Sequence, residues 1–473
     1  MAATSGNPDQ VFVSVCRNGF FRSVLYIAAR MHFCGVKWAG CTPISYMLNM
    51  AEQESETPQS RLRGIFSQLG PGLITGAADD DPSGISTYSV AGASFGFGQL
   101  WTAILSFPLM SAVQLMCARL GMVTGLGLGG VIRRRYSRNV LWFSCMLLIV
   151  ANVINIGADL KGMGEAMEMM TGITHRVWLP AFAVIIVALL VFTSYRHIVK
   201  IFKWLTIVLF AYVITAFMVR PDWGAVLSAT FVPRIELTRN YLATFLAILG
   251  TTISPYLFFW QAAQEVEEER EMGRTTVAQR KGASDEELRA ARIDVLTGMG
   301  ISNLIMYFII LTTGATLHAS GHTNIETARE AAEALRPLAG DLAYLLFTVG
   351  IIGTGMLGVP VLAGSAAYAV AEGAGWHGSL NERPRLAMKF YIILAAAVVG
   401  GLLLDLTGIS AVRMLFLAAV VNGVLAPPLV VIVTMLSSDP KVMGDRTSSP
   451  LVRWLGWITA VLMFGASVAM FIT

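Results

Sequence analysis

Read for its alternation of apolar and polar stretches, the chain resolves into eleven apolar segments. They lie at about 65–90, 95–118, 139–170, 177–193, 198–219, 240–265, 293–318, 340–371, 386–404, 408–436 and 452–472. Each supplies the roughly 20 residues that a membrane-spanning helix needs. The polar gaps between them are short, so one integrated helical domain is expected over residues 61–473. Residues 1–60 break the pattern. Arg17, Arg22 and Arg30 interrupt the apolar run of 11–35, which makes it a poor span and a poor signal peptide. A poorly ordered cytoplasmic segment is expected there. Met50 is an alternative start, because Glu52, Gln53, Glu54 and Glu56 follow it and lead into the first span.

Composition agrees with a polytopic membrane protein. Of the 473 residues 55% are apolar and 14% charged, against about 25% charged in soluble domains, and mean hydropathy is +0.64. A net charge of +4 is too small to argue for nucleic acid as a partner. Its distribution is more telling. Linkers after the second, fourth, sixth, eighth and tenth segments hold 20 Lys and Arg, among them Arg133, Arg134, Arg135, Arg270, Arg280, Arg383 and Arg385, while the alternate linkers hold six. The positive-inside rule then places the N-terminus in the cytoplasm and the C-terminus outside, in a cell (inner) membrane. The five cysteines form no Cys-x-x-Cys pair and read as small buried hydrophobes. The longest loop, about 264–292, reads as a solvated, partly helical linker.

The candidate chemistry lies where the apolar pattern fails. Gly76-Ala77-Ala78-Asp79-Asp80-Asp81-Pro82-Ser83-Gly84 puts three acids inside the first span. Carboxylates at that depth are costly and should face water or a cation. Pro82 and the glycines break the helix and free backbone carbonyls. A second break, Gly250-Thr251-Thr252-Ile253-Ser254-Pro255-Tyr256, interrupts the sixth span. Interrupted segments at matching positions of two halves point to a transporter site. Five spans from each break make two five-helix halves. Five is odd, so the halves run in opposite senses. The expected fold is therefore an all-α polytopic protein with a 5+5 inverted repeat and discontinuous first and sixth helices. Asp81, next to the proline, is the leading ligand. Successive helical residues are about 100° apart, so Asp80 and Asp79 are expected to line the approach, Asp80 with the greater share.

Gly70-Pro71-Gly72 followed by Asp81-Pro82-Ser83-Gly84 resembles the first span of the Nramp family of divalent-metal transporters, where the motif reads Gly-Pro-Gly and then Asp-Pro-Gly-Asn. Ala118-Arg119-Leu120-Gly121-Met122-Val123-Thr124-Gly125 resembles the family's Ala-Arg-Leu-Gly-x-x-Thr-Gly. Thr252-Ile253-Ser254-Pro255-Tyr256 falls where the family has Met-Pro-His. The resemblance covers about residues 64–473. It implies the LeuT/APC-like fold, no resident cofactor, a divalent metal ion as substrate, and a protein that is not an enzyme and works as a monomer in the lipid bilayer.

Carried over by position, the resemblance implies Asp81 as anchor and the carbonyls of Ala78 and Thr251 as donors. Gly84 stands for the family Asn, Ser254 for the Met, and Tyr256 for the His. Asn422, beside Pro427 and Pro428 in the tenth span, is a further candidate on the ion path. Replacing a thioether by hydroxyl favours hard ions over soft ones, and a roomier pocket suits a partly hydrated Mg²⁺. The pattern resembles the Nramp-related magnesium transporter branch, so Mg²⁺ or Mn²⁺ is the expected substrate. Of the three proton-handling positions only Asp159 remains, since the others read Gly162 and Tyr256. Weak or absent proton coupling is expected, and Asp159 is read as pairing with Lys161 or a more distant base. The alternatives are a proton-coupled Mn²⁺/Fe²⁺ transporter of the Nramp type, an amino-acid symporter of the same fold, and an intramembrane aspartyl enzyme.

Overall fold

The computed structural model describes residues 70–193, 197 and 207–473, so the expectations for the N-terminal segment and for Met50 lie outside the described residues. The first span is split into α1 (Pro71–Asp79) and α2 (Pro82–Phe95). Then follow α3 (Trp101–Thr124), the short α4 (Leu128–Arg135), α5 (Arg138–Thr171), α6 (His175–Phe192), α7 (Phe210–Val219) and α8 (Trp223–Phe231). The sixth span is split into α9 (Arg239–Thr252) and α10 (Pro255–Glu271). The last spans are α11 (Asp285–Thr313), α12 (Ala343–Ala374), α13 (Met388–Leu403), α14 (Ala411–Ser438) and α15 (Pro450–Ile472). Among the described residues nine helical stretches are long and apolar enough to cross a membrane. The split first span and the shorter apolar helix of Ile207–Val219 fall on the first and fifth expected segments.

Local chemistry explains the boundaries. Asp81 caps α2 by accepting from Gly84 N at 2.8 Å, with Pro82 in the first helical position, where its missing N–H costs nothing. Ser284 and Glu287 form a reciprocal capping box at α11, with Asp285 and Glu286 in the first turn, which suits the positive end of the helix dipole. The longest linker is shorter than its charge pattern suggests. Helix α10 continues to Glu271, and Glu265, Glu267 and Glu269 are buried rather than solvated. Hydrogen bonds account for two of them: Gln261 donates to Glu265 at 2.8 Å and Ser379 to Glu267 at 2.7 Å, while Glu269 has Arg274 at 3.7 Å.

Packing brings the two breaks together. The first half-helix, α1, lies along α11, and α2 packs on α11 and α14. The half-helix α9 lies along α14, while α10 packs on α3 and α12. The third and eighth spans, α5 and α12, pack on each other, as counterparts about a two-fold axis should. A Cβ at Gly250 would stand 2.1 Å from the Ala419 carbonyl oxygen and 2.4 Å from Gly423 N. Both obstacles are backbone of α14 and cannot rotate away. Gly250→Ala is expected to cost more than the ~1–3 kcal/mol of ordinary overpacking, read as a clear fall in Tm of the purified protein; an unchanged Tm would contradict this contact.

Candidate functional site

Each proline frees one particular carbonyl. A helical N–H bonds the carbonyl four residues back, and proline has no N–H. Pro82 therefore releases the carbonyl of Ala78, and Pro255 releases that of Thr251. Asp80 (φ −84°, ψ 49°) ends α1, and Ile253 (φ −121°, ψ 59°) ends α9. Both released carbonyls are held by hydroxyls. Tyr256 Oη lies 3.0 Å from Ala78 O and 3.2 Å from Asp81 Oδ2, so its one proton serves two acceptors in turn. Ser254 Oγ lies 2.8 Å from both Gly250 O and Thr251 O. The sixth span thus reaches across the gap to the first, and Asp81, Ala78 and Tyr256 meet directly.

The other oxygen of Asp81 is equally engaged. Its Oδ1 accepts from Ser83 Oγ at 2.6 Å and from Gly84 N at 2.8 Å. Gly84 contributes this N–H and space. A Cβ there would stand 3.2 Å from Thr251 Oγ1 and 3.3 Å from Asp79 O, so the residue lies between the two breaks. Ser254 does not present a free hydroxyl hydrogen, because its donor is spent on the second break's own carbonyls. Asn422 is wholly buried and its amide has no hydrogen-bond partner. It adjoins Gly423, the residue against which Gly250 packs.

Asp79 and Asp80 differ from expectation. Both are buried, 0% and 2% exposed, and they share one partner. Ser302 Oγ of α11 lies 2.5 Å from Asp79 Oδ2 and 3.2 Å from Asp80 Oδ1. The angular argument fails because the helix has already ended at Asp79, so the next side chain is no longer 100° away. Asp79 is therefore engaged at least as closely as Asp80, and neither is a solvated lining. Asp159 also differs. Lys161 pairs with Asp405 at 2.8 Å, while Asp159 is wholly buried and neither carboxylate oxygen has a hydrogen-bond partner. A Cβ at Gly358 of α12 would stand 3.0 Å from Asp81 Cβ and 3.7 Å from Asp159 Oδ2, so both acids flank one glycine.

A vestibule of about 1110 Å³ lies between the end of α2 and the starts of α9 and α14, lined in part by Ser94, Asn240, Thr244, Glu326 and Arg413. Its wall residue Val412 accepts from Ser86 Oγ at 3.5 Å. Asp81, five residues deeper on α2, is 1% exposed. The site is thus occluded. Among the described residues no group of three or more His, Cys, Asp or Glu forms a ready metal cage. The donors that converge are instead one carboxylate, released carbonyls and hydroxyls.

The model of the Nramp family, described as natural resistance-associated macrophage protein-like, matches residues 72–473. The chain belongs to the Nramp family. Its Nramp relatives include the divalent metal cation transporter MntH of Brucella suis biovar 1 (strain 1330), 27% identical over 415 residues, covering 85% of this chain and 87% of that one. The Eremococcus coleocola manganese transporter, solved with an aromatic bis-isothiourea substituted compound, superposes with a TM-score of 0.68 at 18% identity, over 88% of both chains. Mhp1, a nucleobase-cation-symport-1 family transporter in a closed conformation, superposes with a TM-score of 0.54 at 15% identity, over 85% of this chain and 90% of that one. These likenesses show the fold: an all-helical inverted-repeat bundle with discontinuous first and sixth helices. Nothing in the sequence pointed to Ser302; only a serine facing two consecutive acids across a helix pair could have done so, and the pairing of α1 with α11 is not written in either segment.

Proposed function

We propose that this protein carries a divalent metal cation across the membrane, with Mg²⁺ or Mn²⁺ as its substrate. The observation that carries the reading is the meeting of two broken helices at Asp81, with Ala78 and Thr251 carbonyls released beside it. Family membership supports transport rather than catalysis, and relatives of the fold are described as divalent metal and manganese transporters. Asp81 is the anchoring ligand. Ala78 O and Thr251 O become donors when the Tyr256 and Ser254 hydroxyls turn away. Asn422 offers a free buried amide to a hydrated ion, and Asp80 with Asp79 takes the next position along α1. Neither break contains Met, Cys or His. Oxygen donors suit hard cations, and Mg²⁺ keeps several waters. Both breaks lie within one five-plus-five bundle, so a monomer suffices as the transporting unit. The arginine-rich linkers support a cytoplasmic N-terminus and an external C-terminus.

Transport is driven by the ion gradient and the membrane potential. A divalent cation gains about 4.6 kcal/mol per 100 mV, twice the single-charge value. Gly162 and Tyr256 replace two proton-handling side chains, which supports uncoupled movement. In proteoliposomes, Mg²⁺ or Mn²⁺ entry is expected without matching internal acidification and with little dependence on an imposed proton gradient. Proton influx that strictly follows metal entry would favour the coupled Nramp mode.

A further inference from the structure

Away from the transport site, the face that carries the basic linkers holds a cavity of about 540 Å³, within the ~300–1,000 Å³ of small-ligand sites. Arg133 and Arg134 of α4, Arg270 of α10 and Arg280 of the following linker line it, with Glu372 of α12 and Trp376 just beyond. The N-terminus of α4 is already taken, since Gly130 N donates to Glu372 Oε2 at 3.1 Å. The attraction for an anion therefore comes from the arginines. Arg280 is held by three backbone carbonyls, those of Gly125, Arg274 and Thr275, at 3.3, 3.0 and 2.7 Å. Arg270 pairs with Glu267 at 2.8 Å, and Arg135 turns away to Asp439 at 2.5 Å.

Besides Arg280, two charges remain without a carboxylate. Arg133 lies across Gly375, which has φ +71° and where a Cβ would stand 1.9 Å from Nη1; its one hydrogen bond is 3.5 Å long, to Glu372 O. Arg134 is exposed and has no ion pair among the described residues. The depth of the cavity is marked by Trp376, which follows an apolar spanning helix, is 39% exposed, and carries Lys389 Nζ 4.8 Å from its ring centroid. Tryptophan at a helix end belongs to the headgroup level, and clustered arginines between spanning helices on the cytoplasmic side suit lipid phosphates.

We propose that this pocket binds the phosphate group of an anionic phospholipid. A headgroup there bridges α4, α10 and α12, and so ties down the second half of the broken sixth span.

The test uses the full-length protein purified in neutral detergent, with phosphatidylglycerol or phosphatidylcholine added and read by Tm and by lipid retained in native mass spectrometry. Phosphatidylglycerol is expected to be retained and to raise Tm, and phosphatidylcholine is not. Arg134→Glu, an exposed and unpaired position that leaves folding contacts alone, and Arg133→Gln/Arg134→Gln are each expected to weaken retention at least fivefold. Arg383→Gln/Arg385→Gln, which removes two exposed charges outside the pocket, should change it less than twofold. Undiminished retention in the pocket variants, or equal loss in the control pair, overturns the proposal. So does inorganic phosphate reproducing the Tm rise where phosphatidylglycerol is not retained, since the occupant would then be soluble.

Discussion

Asp81→Asn is expected to cut Mg²⁺ and Mn²⁺ uptake by roughly 100-fold or more, the consequence of losing ~3–5 kcal/mol when one partner of a buried charge pair is removed. Asparagine separates charge from structure at this position. Asp81 Oδ1 accepts from Ser83 Oγ and Gly84 N, and an amide oxygen accepts both and still caps α2, because Asn and Asp are nearly equal as N-caps. Tm should therefore stay close to wild type while transport is lost. The measurement is metal entry into proteoliposomes containing a fluorescent indicator, with Tm recorded on the same preparations. Wild-type uptake by the variant would remove Asp81 from the ion path.

The second large effect concerns selectivity. Ser254→Met is expected to raise Cd²⁺ affinity at least ~10-fold relative to Mg²⁺, because a thioether is a soft ligand and Cd²⁺ seeks sulfur. The geometry adds a second reason. Ser254 Oγ now bonds the carbonyls of Gly250 and Thr251, and a methionine has no proton to give them. Its substitution releases Thr251 O and supplies sulfur at the same break. Calorimetric titration of wild type and variant with Mg²⁺, Mn²⁺ and Cd²⁺ reads the change directly. If wild type itself prefers Cd²⁺, the hard-site reading fails; if the variant keeps the wild-type order, Ser254 lies off the site. The corresponding substitution at the other break is less favourable. A Cβ at Gly84 would stand 3.2 Å from Thr251 Oγ1 and 3.3 Å from Asp79 O, so Gly84→Asn needs these neighbours to give by a few tenths of an ångström.

Particular residues show how far sequence reasoning reaches here. The spans were readable because lipid leaves a helix no choice but to be about 20 apolar residues long, and α5, α14 and α15 lie within a few residues of the expected bounds. The breaks were readable because proline acts locally. The position of Asp81 at the first break followed from its place beside Pro82. The misjudged residues were those whose partners lie far along the chain. Asp79 and Asp80 were sorted by helical angle, yet Ser302, more than 200 residues away, holds both. Lys161 looked like the partner of its near neighbour Asp159, but Asp405 takes it. The glutamates of α10 looked solvated, until Gln261 and Ser379 were found against them.

By itself, then, the sequence determined the number of spans, the two helix breaks, the carboxylate at the first of them and the absence of sulfur and imidazole at both. Those properties depend on residue type and on neighbours within a turn or two. Only the tertiary structure decided that Tyr256 bridges Ala78 and Asp81, that Ser254 turns back on the carbonyl it was expected to accompany, and that four arginines from two linkers close around one cavity. Each of these is a contact between segments brought together by helix packing, and hydrogen bonds and charges act over a few ångströms of space regardless of how much chain lies between.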